Sequence, residues 1–311
     1  MQIIAGTSNS DLATRIAAKL GLKYALAKVT KFSDGELKVQ VSSIIDKEVI
    51  IVHSTVSPVN DNLIELLLLT DLLQRAGAQK IIAIIPYFGY ARQDRQDRQD
   101  RQEVQIQDHL NSSLGASTAI KLIESLGINE VITLDLHSKK SRDYFNIPIY
   151  NLKAIDVFLA VIKEQNNFNK ENIVIVSPDH GGIIRAREYA QKLKIDLAII
   201  NKVRDINNIC FINDLDGSVT GKHCIIIDDI VSEANTLCHA VEFLLSKGAI
   251  SVEAFVTHGV FCANAIAKIK DSPLSHLYIT DSIPHYGLPD KITVLAIDEL
   301  LASTVFNKIK L

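Results

Sequence analysis

Short runs of Val and Ile recur along this chain, and the stretches between them carry the apolar period of a helix. Branched residues without polar alternation suit strands covered on both faces, as in a parallel sheet. Intervening helices supply the crossovers that parallel pairing needs. Strands are expected at 2–5, 48–53, 80–86, 130–136, 172–177, 196–200, 223–227, 251–257, 276–280 and 292–296. Helices are expected at 12–20, 60–77, 118–126, 154–163, 183–193, 236–247 and 298–305. Ser10 or Asp11 can cap the first of these, which Gly21 stops, and Asn60 or Asp61 can cap the second. The fold class is therefore α/β, with mostly parallel sheets flanked by helices.

A length of 311 residues favours two domains. The segment beginning VIIVHSTV at Val49 parallels the one beginning CIIIDDIV at Cys224. Each reads strand, loop, helix, glycine stop, strand. This is read as a duplicated α/β unit, although two α/β domains can also look alike by chance. A boundary near 148–152, where neither period holds, gives domains 1–149 and 150–311, with the last helix free to pack back on the first. Net charge is −3, with no basic excess, so nucleic acid is not expected as a ligand. No apolar run is long enough for a membrane span, and Met1 leads straight into a strand pattern without a signal-peptide signature. The four cysteines show no metal-type spacing, which fits reduced thiols in a cytoplasmic protein.

Chemistry gathers in the stretch KHCIIIDDIVSEANTL, 222–237. A short buried strand ends in Asp228 and Asp229, then a loop feeds a helix beginning near Asn235. In open parallel sheets ligands bind beyond the strand ends, where free amide N–H groups favour phosphate. Two carboxylates there suit a polyhydroxyl ligand, since each accepts two hydroxyl protons. A solvated turn after a core strand is the bland alternative. The repeat RQDRQDRQDRQ, 92–102, has no apolar face to bury, and a mobile loop is expected across 95–116.

The motifs KFSDGE (31–36), NDNLIELLLLTDLLQRAGA (60–78), PYFGYARQDR (86–95), TLDLH (133–137), VSPDHGGIIRAR (176–187), NKVR (201–204), IIIDDI (225–230) and THGVF (257–261) occur in this order. Together they resemble the ribose-phosphate pyrophosphokinase family, over residues 2 to 285. The resemblance implies two phosphoribosyltransferase-type domains, the first on the ATP side and the second on the ribose 5-phosphate side. It implies transfer of the diphosphoryl group of ATP to the 1-hydroxyl of ribose 5-phosphate. The products are AMP and phosphoribosyl pyrophosphate, for nucleotide biosynthesis.

Residue by residue, the resemblance gives Arg92, Gln93 and Asp94 to ATP; an Arg fork suits a phosphate chain. It gives Phe32, Asp34 and Glu36 to the adenine held by a neighbouring subunit, which makes a homo-oligomer, a hexamer or its dimer units, part of the site. His137 and Asp179 match the positions that bind Mg²⁺. Lys202 and Arg204 match a catalytic arm that closes on the β-phosphate in the transition state, and 201–221 reads as a hairpin. Asp228, Asp229, Ser232, Asn235 and Thr236 match the ribose 5-phosphate loop.

That loop departs from the family pattern of Asp-Asp, two variable residues, then Asp-Thr-Gly-Gly-Thr. Here the last five are Ser232, Glu233, Ala234, Asn235 and Thr236. Glycines take positive φ freely, Asn tolerates it and Ala does so poorly. A Glu233 charge turned inward, ~4 Å from a phosphate at an effective dielectric of ~20, would cost about 4 kcal/mol. The resemblance thus carries two expectations: a synthase with an altered loop, or a non-catalytic member that binds nucleotide and regulates a partner synthase. A transferase that consumes the product would not need the adenine loop. GSVTGK lacks the spacing of a phosphate-binding P-loop, and scattered Cys and His do not make a zinc site.

Overall fold

The chain divides into two compact units: residues 1–152 with 282–284 and 297–311, and residues 153–281 with 285–296. A computed structural model describes residues 1–94, 113–164, 170–204 and 210–309. Most of the segment expected to be a mobile loop, 95–112, lies outside the described residues. Its last two positions, Gly115 and Ala116, are the start of a helix.

In the first unit the elements run β1 (Gln2–Ala5), α1 (Ser10–Leu20), β2 (Lys23–Leu26), β3 (Lys28–Lys31), β4 (Leu37–Gln40), β5 (Glu48–Val52), α2 (Val59–Arg75), β6 (Lys80–Ile85), α3 (Gly115–Ser125), β7 (Glu130–Leu134), α4 (Lys139–Asp143) and β8 (Ile149–Leu152). The sheet order is β2-β1-β5-β6-β7-β8, and every pairing is parallel. The second unit contributes α5 (Ile155–Glu164), β9 (Ile173–Ser177), α6 (Ile183–Leu193), β10 (Asp196–Arg204), β11 (Cys210–Asp216), β12 (His223–Val231), α7 (Asn235–Ser246), β13 (Ser251–Gly259), α8 (Ala265–Asp271), β14 (His276–Thr280) and β15 (Ile292–Leu295). Its order is β11-β10-β9-β12-β13-β14-β15, parallel apart from the antiparallel ribbon of β10 and β11. With β11 set aside, both sheets follow one order: the second strand outside the first, then the remaining strands in sequence. The strand-helix-strand segments that look alike in sequence, β5-α2-β6 and β12-α7-β13, hold the same place in each.

The strand interiors explain why these sheets form. Ile3, Ile4, Ile50, Ile51 and Val52 in the first, and Val174, Ile175, Val176, Ile226 and Ile227 in the second, are wholly buried. Each removes an aliphatic side chain from water, worth about 1.5–3 kcal/mol. Among the described cysteines Cys224 lies inside the second core, where burial pushes its thiol up to about 12, an unreactive state.

The helix caps correct the sequence reading. Asn9 and Pro58 stand at the N-caps of α1 and α2, neither making a side-chain capping bond, while Ser10, Asp11, Asn60 and Asp61 already lie in the helices. Gly21 does end α1, in the left-handed conformation.

The chain returns to the first unit through α9 (Asp298–Ile309), which packs on α1 with Ile297, Leu301 and Val305 buried. Lys19 meets Glu299 at 2.7 Å and Asp298 at 3.5 Å. Further along, Glu130 accepts from Lys80 at 2.7 Å and from Lys308, whose ammonium also sits 3.6 Å from the Tyr150 ring centre. Burial would raise the Glu130 carboxyl, but the bonds from Lys308 and Lys80 outweigh it and hold it below the usual range. A depressed carboxyl stabilises the fold above its unfolded value and loses that contribution as pH falls through the folded one. Glu130→Gln is therefore expected to cost about 1–3 kcal/mol at neutral pH, with the difference shrinking below about pH 4. Urea unfolding at the two pH values checks this; an equal cost at both would mean packing, and not charge, sets the effect.

Candidate active site

In the first unit the loop after β6 turns on a glycine. Gly89 donates its N–H to Thr55 Oγ1 at 2.6 Å, and a Cβ there would meet the Thr55 carbonyl at 2.3 Å, so no side chain fits. Tyr90 follows at φ 65°, its hydroxyl bonded to Asn60 Oδ1. Gln93 donates its N–H to the Tyr90 carbonyl at 2.8 Å and accepts from Ala116 N–H at 3.1 Å, which ties the loop to α3. Arg92 and Gln93 are exposed at its surface, available to a ligand. Asp94 is not: its carboxylate is buried and accepts from the Ser141 hydroxyl at 3.0 Å and from Ser138, the N-cap of α4.

His137 was expected to close a buried strand. Instead β7 stops at Leu134, the chain kinks at Asp135 with φ 36°, and His137 stands exposed in the loop beyond. Phe32, Asp34 and Glu36 are exposed at the tip of the β3-β4 hairpin. There Phe32 N–H bonds the Glu36 carbonyl at 2.8 Å and the Asp34 carboxylate accepts from Glu36 N–H at 3.2 Å.

At the end of β5, the place corresponding to the acid pair of the second sheet, stand His53 and Ser54, both fully buried. The His53 Nε2–H donates to the Asn62 carbonyl at 2.9 Å, which leaves Nδ1 to accept from the Ser8 hydroxyl at 3.0 Å. Burial keeps this imidazole below its usual range despite Glu65 at 3.5 Å. Glu65 in turn accepts from the N–H and hydroxyl of Thr7, each at 2.6 Å. This strand end is filled by its own side chains.

The second unit keeps its strand end charged. β12 does not stop at Ile227 as expected but runs to Val231, because β13 pairs with it as far as Gly259. Asp228 and Asp229 thus lie within the strand. Arg185, from the first turn of α6, spans both: Nη1 to Asp228 Oδ1 at 3.1 Å and Nη2 to Asp229 Oδ1 at 3.2 Å. Burial, then the charge of Asp229, pushes the Asp228 carboxyl well above its usual range, with Asp179 adding to the push and Arg185 opposing it. Asp179 lies in the loop between β9 and α6, where its Oδ1 takes the Gly182 N–H at 3.0 Å. The three acids and Arg185 share one electrostatic neighbourhood. Among the described residues no three His, Cys, Asp or Glu side chains form a metal cage. Magnesium needs none, because it binds through one or two carboxylates and completes its shell with phosphate and water.

Beyond the acids, Ser232, Glu233 and Ala234 lead into α7, whose first turn holds Asn235 and Thr236. Ala234 takes φ 64°, the conformation the missing glycine would supply. Glu233 is exposed, and its carboxylate accepts from Asn235 Nδ2 at 3.0 Å, so the inward charge feared from the sequence does not arise. Lys268 of α8 reaches the same loop, donating to Asn235 Oδ1 at 2.6 Å and to the Glu233 carbonyl at 3.3 Å. Within the 201–221 segment, β10 and β11 form an antiparallel ribbon: Lys202 pairs with Ile212 and Arg204 with Cys210, with a register irregularity between Asn201 and Lys202.

The sequence reading missed Arg185 and Lys268 as site residues. Arg185 had a signal, since it stands in the glycine-led turn GGIIRAR; Lys268 had none.

Known proteins share this plan. Residues 1–115 match the model of the N-terminal domain of ribose phosphate pyrophosphokinase, and 143–273 match that of a phosphoribosyl transferase domain. A ribose-phosphate pyrophosphokinase from Caldanaerobacter subterraneus is 40% identical over 99% of this chain and 94% of its own. One from Rhizobium meliloti is 42% identical over 91% and 87%. The crystal structure of phosphoribosylpyrophosphate synthetase from Mycobacterium smegmatis superposes with a TM-score of 0.87 at 28% identity, covering 99% of this chain and 98% of that one. With relatives at this identity matched over nearly their full length, the chain belongs to the ribose-phosphate pyrophosphokinase family.

Proposed function

We propose that this chain transfers the diphosphoryl group of ATP to the 1-hydroxyl of ribose 5-phosphate, releasing AMP. The observation that carries the proposal is the charged strand end of the second unit. Two carboxylates bridged by one Arg precede a helix N-terminus, so diol acceptors and phosphate donors lie in one short segment. Asp228 and Asp229 take the ring hydroxyls of the pentose. The hydroxyls of Ser232 and Thr236, with the first N–H groups of α7, take its phosphate.

Arg92 and Gln93 hold the nucleotide, and Asp94 serves them by fixing the segment through Ser138 and Ser141. Lys202 and Arg204 neutralise charge developing on the moving phosphoryl oxygens, since such transfers rely on positioning and electrostatics. His137 and Asp179 are assigned to Mg²⁺, which when bound neutralises and orients the polyphosphate. The exposed hairpin tip of Phe32, Asp34 and Glu36 supports a homo-oligomer in which it reaches the adenine bound by another copy. No helix among the described residues is long and apolar enough to cross a membrane, in keeping with a cytoplasmic enzyme. A non-catalytic regulator, the other expectation from the sequence, gains no observation in its favour.

Purified protein with ATP, Mg²⁺ and ribose 5-phosphate is expected to release AMP in equal amount to phosphoribosyl pyrophosphate. ATP binding without AMP release, even at saturating sugar phosphate, would refute the assignment.

A further inference from the structure

The loop from Ser232 to Thr236 has lost the glycines of the family pattern and carries its one acid at Glu233 instead of at the first position, yet it keeps a left-handed residue at Ala234. Something outside the loop must hold that shape, because Ala disfavours it. The only described α8 side chain bonded to the loop is Lys268. Its Nζ donates to the Glu233 carbonyl, just before the left-handed residue, at 3.3 Å. The same Nζ donates to Asn235 Oδ1, just after it, at 2.6 Å. Asn235 then turns its Nδ2 to the Glu233 carboxylate at 3.0 Å. The backbone carries the connection too, as Cys262 N–H donates to the Ser232 carbonyl at 2.9 Å, two residues before Asn264, whose carbonyl accepts the Lys268 N–H at 3.0 Å. The arrangement brackets Ala234 on both sides and links the Lys268 ammonium to the Glu233 carboxylate through the Asn235 amide.

We propose that Lys268 is a positioning residue for the phosphate of the sugar phosphate, bracing the 232–236 loop and cancelling the charge of Glu233. The proposal rests on the reading of this loop as the ribose 5-phosphate site. A dianionic phosphomonoester arriving at the α7 N-terminus then meets a loop of no net charge, already in the shape that glycines would otherwise leave to chance. Lys268 does not touch the reacting anomeric hydroxyl, so its effect falls on sugar-phosphate binding and not on the transfer step.

The test uses four variants of the full chain: Lys268→Met, Lys268→Arg, Glu233→Gln, and Lys268→Met with Glu233→Gln. AMP release gives kcat and both KM values, and calorimetric titration with ribose 5-phosphate gives Kd without turnover. Lys268→Met is expected to raise KM and Kd for ribose 5-phosphate about tenfold or more, with kcat and the KM for ATP within about twofold. Lys268→Arg is expected to stay within about threefold, and Glu233→Gln likewise, while the double variant recovers most of the loss. Unchanged sugar-phosphate affinity in Lys268→Met overturns the proposal. So does a parallel loss of kcat, ATP affinity and melting temperature, which marks a merely structural lysine. A double variant no better than Lys268→Met overturns it as well. If the wild type binds ribose 5-phosphate but does not turn over, the assigned activity fails while the Kd series still decides on Lys268. If it neither binds nor turns over, both readings fall together.

Discussion

Lys202→Ala is expected to lower kcat by about three decades while each KM moves by less than about threefold. The reasoning starts from the ribbon of β10 and β11. Lys202 sits just past a register irregularity in β10, a device that re-aims the side chains beyond it. In the proposed transfer its ammonium meets charge that exists only as the diphosphoryl group moves. An interaction made only in the transition state lowers kcat and kcat/KM together when it is removed. Single-turnover measurement of AMP formation, alongside the steady state, separates this from slow product release. A Lys202→Ala enzyme with intact kcat and a raised KM for ATP would make Lys202 a ground-state phosphate ligand, and the catalytic assignment would be withdrawn.

Asp228→Asn is expected to stabilise the ligand-free protein and cripple it at once. Asp228 and Asp229 are two carboxylates sharing one guanidinium, and burial with the neighbouring charge raises the Asp228 carboxyl well above its ordinary range. A carboxyl raised in the folded state contributes stability below its unfolded value and loses it as pH climbs through the folded one. Above the ordinary carboxylate range the raised Asp228 carboxyl therefore weighs against folding. Asn keeps the oxygen that accepts from Asp229 N–H at 2.9 Å and leaves Arg185 paired one-to-one with Asp229. A gain of about 1–2 kcal/mol at pH 8 is expected, the part of the like-charge repulsion that Arg185 does not offset, fading towards pH 4. The KM for ribose 5-phosphate should rise about a hundredfold, as charge-assisted bonds to the ring hydroxyls are lost. Melting curves at the two pH values and a sugar-phosphate titration suffice. A destabilised variant at pH 8 would show that the pair is held by more than this balance.

The parallel sheets were legible because their central strands are apolar without interruption. All the expected strands form, from Gln2–Ala5 to Ile292–Leu295, though several end a residue or two from where expected and β10 and β12 run four residues further. The elements that escaped are short or exposed. β2 is an edge strand of four residues, mostly open to solvent, and β3 and β4 pair only with each other. α4, Lys139–Asp143, has no apolar face and depends on its Ser138 cap, which has no meaning until Asp94 is near. β12 was cut short at the first acid, since a charge in a buried run reads as its end; only pairing with β13 carries it on.

The site divides in the same way. The carboxylates and the altered loop announce themselves locally. Arg185 and Lys268 do not, because their partners lie 43 and 33 residues away in the chain, and nothing in either neighbourhood says which distant acid or amide they will meet. Asp94 shows the converse error of scale: beside Arg92 and Gln93 it reads as one more ligand, and the fold turns it inward.

The return of the chain to its first unit through α9 has a consequence for biogenesis. As the polypeptide leaves the ribosome, the opening half emerges first, but α1 cannot complete its packing until α9, with Leu301 and Val305 on its buried face, is made. The later half has its whole sheet in hand before that moment. The unit begun first is thus completed last, and a nascent chain stalled short of Asp298 would present an uncovered α1 to chaperones.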